Sequence, residues 1–147
     1  MAAHTHSVDT LISFFQEEQA AVQVYEQALS RLDHAGARDK LRACSEDHAR
    51  RARLLRERLE VLGRAPPDNR GRGIHFATLT HLGTGDRSVT AQSVVQSIAE
   101  GEEYGLQDYA SKLDRLDEES RRFVQTELLD AQRRTQAAVG EVQRALH

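Results

Sequence analysis

Two glutamates with the same spacing to a tyrosine are the first candidates for chemistry in this sequence. In the segment EEQAAVQVY, Glu18 precedes Tyr25 by seven residues, and in GEEYGLQDY, Glu102 precedes Tyr109 by the same interval. At about 100° per residue, each glutamate falls within the apolar stripe of its predicted helix. A carboxylate in such a stripe costs free energy unless a partner compensates its charge.

A histidine and two further acidic residues are candidate partners for these glutamates. His48 lies near the centre of the next apolar stripe, at a depth similar to that of Glu18 when residues are counted from the turn between them. Glu102 comes level with Asp130 in the same way, and Glu127 lies at the edge of the last stripe. Carboxylates and imidazoles that face one another in a helical bundle are typical ligands of a di-metal site. The predicted ligands, for iron or another divalent metal, are Glu18, His48, Glu102, Glu127 and Asp130, with Tyr25 and Tyr109 behind them.

The same residues also permit a network that contains no metal. Tyrosine hydroxyls and the His48 imidazole could form hydrogen bonds with Glu18 and Glu102. The glutamates would then fix the register of the helices, a role that buried polar groups have in some proteins. The sequence leaves both interpretations open, and it predicts no catalytic residue.

The composition excludes several classes of protein. The chain has 147 residues, about one domain, and its net charge of −3 gives no general attraction to nucleic acid. Its single cysteine excludes an intrachain disulfide and suits a reducing compartment. No apolar run approaches the ~20 residues of a membrane-spanning helix, and the N-terminus lacks the pattern of a signal peptide. We therefore expect a cytoplasmic protein without membrane or nucleic-acid partners.

Hydrophobic periodicity predicts four long helices. Ser7 is the expected cap of the first helix and Asp117 that of the fourth, since short polar side chains accept hydrogen bonds from a helix start. Gly36 and Gly63 mark the ends of the first and second helices. The predicted helices span residues 7–33, 37–62, 88–114 and 117–146.

The lengths of the connections predict how these helices are arranged. Short turns join the first helix to the second and the third to the fourth, so each pair should form an antiparallel hairpin. The long link of residues 63–87 should cross over along the bundle and contain a short helix within residues 73–82. The expected fold is all-α: one domain over residues 1–147, a four-helix bundle of two hairpins with a long crossover and a flexible N-terminus at residues 1–6.

The chain resembles the ferritin-like superfamily. The Glu-x6-Tyr pattern of the first and third helices, the hairpin–crossover–hairpin order and the length carry this resemblance over essentially the whole chain. Within the superfamily, the chain is similar to an uncharacterised bacterial four-helix-bundle family, whose recurring features resemble GIH in the crossover and GEEYGLQDYASKL in the third helix. That family has no settled function, so the resemblance implies a fold and a possible metal layer but no specific activity.

The resemblance also shows where this chain departs from a complete diiron site. Such a site takes one glutamate from each of the first and third helices and Glu-x-x-His from each of the others. In the second helix that spacing falls on Ser45 and His48, so the glutamate is missing. In the fourth helix it falls on Glu127 and Asp130, so the histidine is missing. The resemblance therefore implies a degenerate site.

Three functions remain open at this point. The first is a ferritin-like bundle with a vestigial, non-catalytic carboxylate and histidine layer. The second is a diiron-type metal-binding protein that reacts with oxygen or peroxide. The third is a stress-related module that forms homo-oligomers or binds a partner. Whether the protein is an enzyme is also open.

Other reactive residues have simpler interpretations. The spacing of Cys44 and His48 would permit a thiol–imidazole pair, but we expect a small buried thiol at the core edge, since no acid or oxyanion feature supports nucleophilic catalysis. The arginines of HARRARLLRER are expected to form a solvated face offset by Glu57 and Glu60. Removal of Met1 would leave Ala-Ala-His, a pattern that binds Cu(II) or Ni(II) in vitro. His75 and His81 lie in the crossover and are expected to be structural.

Overall fold

A computed structural model describes residues 2–66 and 90–146, with side chains from residue 6 onward. Within these ranges the chain forms four helices and no strands, so the all-α prediction is confirmed. A 3-10 turn, Leu113–Arg115, joins the third helix to the fourth. The fourth helix combines an α-helical start, a π-helical middle and an α-helical end: Glu118–Phe123, Val124–Leu129 and Asp130–Ala145. The helices are α1, Ala2–Leu29; α2, Ala35–Val61; α3, Ala91–Ser111; and α4, residues 118–145.

Local sequence explains most of the helix ends. The Asp117 carboxylate accepts a hydrogen bond from the Ser120 amide, as predicted for the cap of α4. Thr90 and Ser93 cap α3 reciprocally, each side chain bonding to the other's backbone amide. Gly63 follows the end of α2 with φ = +78°, a left-handed conformation that glycine adopts without a steric penalty.

The predicted start of α1 is wrong. The helix begins at Ala2 and ends at Leu29, instead of spanning residues 7–33, so the N-terminal segment predicted to be flexible is helical from residue 2. Ser7 does not cap this helix; its hydroxyl is buried and donates to Asp117 over 2.8 Å. Packing of Ser7 and Val8 against neighbouring helices stabilises a turn that local capping signals would have placed outside the helix.

Each helix packs against two antiparallel neighbours. α1 contacts α2 and α3, and α4 also contacts α2 and α3. Between α2 and α4, Lys40 pairs with Glu141 and Arg58 with Ser120, so residue numbers rise in one helix as they fall in the other. Between α3 and α4, Gln96 pairs with Gln143 in the same antiparallel sense. The four helices therefore form a bundle in which α1 and α2 are each neighbours of a helix from the second hairpin.

A polar layer separates two apolar clusters in the core of this bundle. One cluster lies toward the α1–α2 turn and includes Val24, Leu41, Ile98 and Val139. The other lies toward the α3–α4 turn and includes Leu11, Phe15, Leu55 and Leu128. Between them lie the buried polar side chains of Glu18, His48, Arg51, Glu102, Gln132 and Thr135.

Several predictions concern residues outside the described part of the chain. These are most of the link at residues 63–87, the short helix within 73–82, and His75 and His81; the side chain of His4 is outside it too. Among the described residues, no helix combines the length and apolar character that crossing a bilayer requires.

Candidate functional site

His48 lies at the centre of the polar layer and bridges the two glutamates. Its Nδ1 is 2.6 Å from Oε2 of Glu18, and its Nε2 is 2.6 Å from Oε1 of Glu102. All three residues are at most 4% exposed. An ionised carboxylate can only accept hydrogen bonds, so between two ionised glutamates both ring nitrogens of His48 donate and the ring is an imidazolium.

The two tyrosines complete this arrangement with crossed pairing. Tyr25 of α1 donates to Glu102 of α3 over 2.5 Å, and Tyr109 of α3 donates to Glu18 of α1 over 2.6 Å. Because α1 and α3 are antiparallel, the same seven-residue spacing on each helix places each tyrosine beside the glutamate of the other. The result is a continuous buried chain of hydrogen bonds, Tyr109–Glu18–His48–Glu102–Tyr25.

Arg51 is the main member of the layer that sequence reasoning missed. The predicted solvated arginine face is wrong at this position, because the Arg51 side chain is 0% exposed. Its guanidinium lies 3.5 Å from Glu18 and donates to Asp47 over 3.2 Å. The signal that could have found it is its spacing: Arg51 follows His48 by three residues and precedes Leu55 by four, which places it on the core stripe of α2.

Gln132 and Thr135 link Arg51 to Glu102. Gln132 accepts a hydrogen bond from Arg51 and donates to Oε2 of Glu102 over 2.7 Å. Thr135 accepts from Arg51 over 3.0 Å and donates to the same carboxylate oxygen over 2.8 Å. Arg51 thus contacts Glu18 directly and Glu102 through two relays on α4.

The structure does not bring Glu127 and Asp130 to the layer, so their predicted position is wrong. Both are exposed, and Asp130 pairs with Arg133 over 3.1 Å. The prediction counted regular α-helical turns outward from the α3–α4 connection. The 3-10 turn Leu113–Arg115 and the π-helical segment Val124–Leu129 have different numbers of residues per turn from an α-helix, so this count placed the wrong residue of α4 beside Glu102. Gln132 therefore occupies the level opposite Glu102.

The electrostatics of the layer favour a fully ionised state. Burial and the nearby Arg51 oppose protonation of His48, but Glu18 and Glu102 outweigh them and raise the pKa of His48 to about 9. Burial alone would raise the pKa of Glu18, but Arg51 and His48 outweigh it and lower that pKa to about 2. Burial would also raise the pKa of Glu102, but His48 is the main cause that outweighs it, and that pKa is lowered. At neutral pH two carboxylates therefore face two cations.

The donor set does not fit a metal ion in this arrangement. All four carboxylate oxygens of Glu18 and Glu102 already accept hydrogen bonds. The two glutamates contact opposite nitrogens of His48, so one ion cannot be bound by all three side chains at once. Within the part of the chain that the structure describes, no three His, Cys, Asp or Glu side chains are grouped to hold an ion. Metal binding here would require the layer to rearrange and Arg51 to leave.

Cys44 lies at the edge of the layer, but its thiol is inert. It is 3% exposed, and burial, followed by the negative charge of Glu102, raises its pKa to about 12. A thiol with so high a pKa is not a nucleophile at neutral pH. The small buried thiol that the sequence favoured is therefore confirmed, and no thiol–imidazole pair is formed, because both ring nitrogens of His48 contact carboxylates.

Gly105 allows α3 and α4 to approach closely beside the layer. A Cβ atom at this position would lie 2.8 Å from Nε2 of Gln132, a group held by its bonds to Glu102. We expect Gly105→Ala to displace Gln132 and lower the free energy of unfolding by about 1–2 kcal/mol, even after the gain in helix propensity.

Gly140→Ala is the matched control for this substitution. Its Cβ would meet only Arg144, at 3.6 Å, so the helix propensity of alanine should stabilise the protein by about 0.5–1 kcal/mol. Urea denaturation of both variants measures the difference. Equal stabilisation by the two substitutions would contradict the fixed position of Gln132.

Comparison with models of protein families, with curated proteins and with solved structures gave no match for this chain. The fold and the site define it as an all-helical bundle with a buried ionic layer.

Proposed function

We propose that this protein is a ferritin-like four-helix bundle in which a metal-free ionic layer occupies the place of a di-metal centre, and that this layer is structural and not catalytic. The observation that carries the proposal is the His48 bridge, with one glutamate on each ring nitrogen. A bridge of this kind holds helices α1, α2 and α3 at one register, since its buried members would lose their partners if one helix shifted along another.

The packing of the helix ends supports a ferritin-like connection. Arg58, near the end of α2, lies 3.2 Å from Ser120 at the start of α4. Gln92, near the start of α3, donates to the carbonyl of Leu146 at the end of α4 over 3.0 Å. The end of α2 and the start of α3 therefore lie at opposite ends of α4, which is the placement that the long connection of a ferritin-like fold requires.

A diiron-type metalloprotein is the second candidate. It is favoured by Glu18, His48 and Glu102, which converge in the core at three positions matching the ligand pattern that the resemblance implies. Metal analysis of protein purified without added iron separates the two candidates. A stoichiometric metal that is lost in the double variant Glu18→Ala/Glu102→Ala would replace the structural proposal with the diiron one.

Replacing either glutamate with glutamine tests the same alternatives through stability. In the ionic layer, each glutamate accepts charge-assisted hydrogen bonds, so Glu18→Gln and Glu102→Gln should each lower the free energy of unfolding of the metal-stripped protein by about 1–3 kcal/mol. In an empty metal site, the carboxylates would repel one another, and both substitutions should stabilise the protein. Chemical denaturation of each variant shows whether the free energy of unfolding rises or falls. Glu46→Gln on exposed α2 surface is the control, with a change within about 0.5 kcal/mol.

A further inference from the structure

Arg51 is enclosed in the core of the bundle among polar side chains, unlike an arginine on the surface. Its side chain is completely buried, and its described partners are Glu18, Asp47, Gln132 and Thr135. Of these, Asp47 alone is partly accessible, and it also pairs with Arg50 over 3.3 Å. One end of the guanidinium therefore lies beside Oε1 of Glu18, the carboxylate oxygen that His48 does not contact, while its Nε bonds to Asp47 at the edge of the layer.

The charges of the layer balance only if Arg51 is counted. Glu18 and Glu102 carry two negative charges, and the His48 imidazolium compensates one of them. Arg51 compensates the other, through the 3.5 Å contact with Glu18 and through Gln132 and Thr135 to Glu102, while Arg50 compensates the partly accessible Asp47. Clustered carboxylates in a core cannot all ionise without an equal positive charge, which in a di-metal site is supplied by the ions.

We propose that Arg51 is a resident cation that closes the layer to divalent metal ions, and that its loss would allow the layer to rearrange into a cation site built from the donors of Glu18, His48 and Glu102. This inference rests on the proposed structural role of the layer. An entering ion would have to displace the guanidinium and leave its N–H groups unpaired in the core, which is strongly unfavourable. Without Arg51 the layer carries an excess negative charge and keeps oxygen and imidazole donors, which suit first-row divalent metals.

Cobalt binding to an Arg51 variant tests the proposal. Arg51→Met keeps an unbranched apolar stem but removes the charge. The metal-stripped wild-type protein should show no visible cobalt absorption in a Co²⁺ titration. Arg51→Met should bind one Co²⁺ at least tenfold more tightly, with an absorption band in the visible region and a rise in Tm on addition of the metal.

Two controls separate charge from other effects of the substitution. Arg51→Lys keeps a cation and should remain as closed to Co²⁺ as the wild type. Arg53→Met, at an exposed position of the same helix, should leave both cobalt binding and Tm unchanged. Cobalt binding by Arg51→Lys equal to that of Arg51→Met would overturn the proposal, because charge would then not be what excludes the ion.

A double-variant cycle tests the charge balance without any metal. Glu18→Gln and Arg51→Met each leave one unbalanced charge, so each should lower Tm. The double variant restores a neutral layer, so its decrease in Tm should be smaller than the sum of the decreases in the two single variants. If Arg51→Met does not fold, a folded double variant supports the proposal, and an unfolded one overturns it.

The outcomes also distinguish this inference from the proposed function. Additive losses of Tm together with no cobalt binding by any variant would overturn the role of Arg51 and leave the metal-free layer intact. Tight cobalt binding by the wild type, abolished by Glu18→Ala, would overturn the proposed function as well.

Discussion

His48→Leu is expected to lower the free energy of unfolding by about 3–5 kcal/mol, because it removes the cation between two buried carboxylates. Glu18 and Glu102 would then share Arg51 alone, and one of them would have to take up a proton or remain unpaired. Urea denaturation at pH 6 measures the loss. A change below about 1 kcal/mol would contradict the central role of the bridge.

His48→Gln keeps the prediction testable if the leucine variant does not fold. The glutamine amide can donate to one glutamate but carries no charge. The free energy of unfolding of His48→Gln should therefore lie between those of the wild type and His48→Leu. Glu46→Gln again serves as the control on the same helix, since Glu46 is exposed.

Stability should be greatest between about pH 4.5 and 6.5 and should fall on both sides of this window. The pKa of His48 rises from 6.5 in the unfolded chain to about 9 in the folded protein, so its contribution is complete below pH 6.5 and disappears as the pH approaches 9. The loss over this interval should be about 3 kcal/mol. The pKa of Glu18 falls from 4.5 to about 2, so its contribution is complete above pH 4.5 and is lost as the pH falls toward 2.

The free energy of unfolding from denaturation at a series of pH values up to 9 measures this profile. As the pH approaches 9, the unfolded chain also begins to lose the proton of Cys44, whose pKa is 9.0 when unfolded and about 12 when folded, so a Cys44→Ala background keeps the alkaline arm specific to His48. In His48→Gln the fall between pH 6.5 and 9 should disappear. The acid arm should become smaller but persist, because Arg51 still lowers the pKa of Glu18 after His48 is lost. An alkaline arm that is unchanged in this variant would show that another group causes it.

Much of the fold follows from local patterns. The periodicity of α2 and the caps at Asp117 and Gly63 predicted elements that the structure contains within a few residues. The start of α1 could not be predicted in the same way, since Ser7 has the properties of a cap but is used as a tertiary hydrogen-bond donor to Asp117. A capping preference of about 1 kcal/mol is easily outweighed by burial of neighbouring side chains.

The candidate site was predictable where one helix defines it. Glu18, His48 and Glu102 were found because each lies within an apolar stripe, and stripe position depends only on angle along a single helix. Arg51 was missed although it satisfies the same spacing, because an arginine among four others is more simply explained as a solvated residue.

The sequence by itself determined an all-helical chain with a repeated Glu-x6-Tyr pattern, since helix formation and amphipathic faces arise from near neighbours. Only the tertiary structure decided the partners. It paired each tyrosine with the glutamate of the other helix, and it brought Gln132 to Glu102 in place of Asp130. The physical reason is that partner choice depends on the axial shift and rotation of packed helices. One π-helical segment or 3-10 turn alters both without a distinct signal in the local sequence.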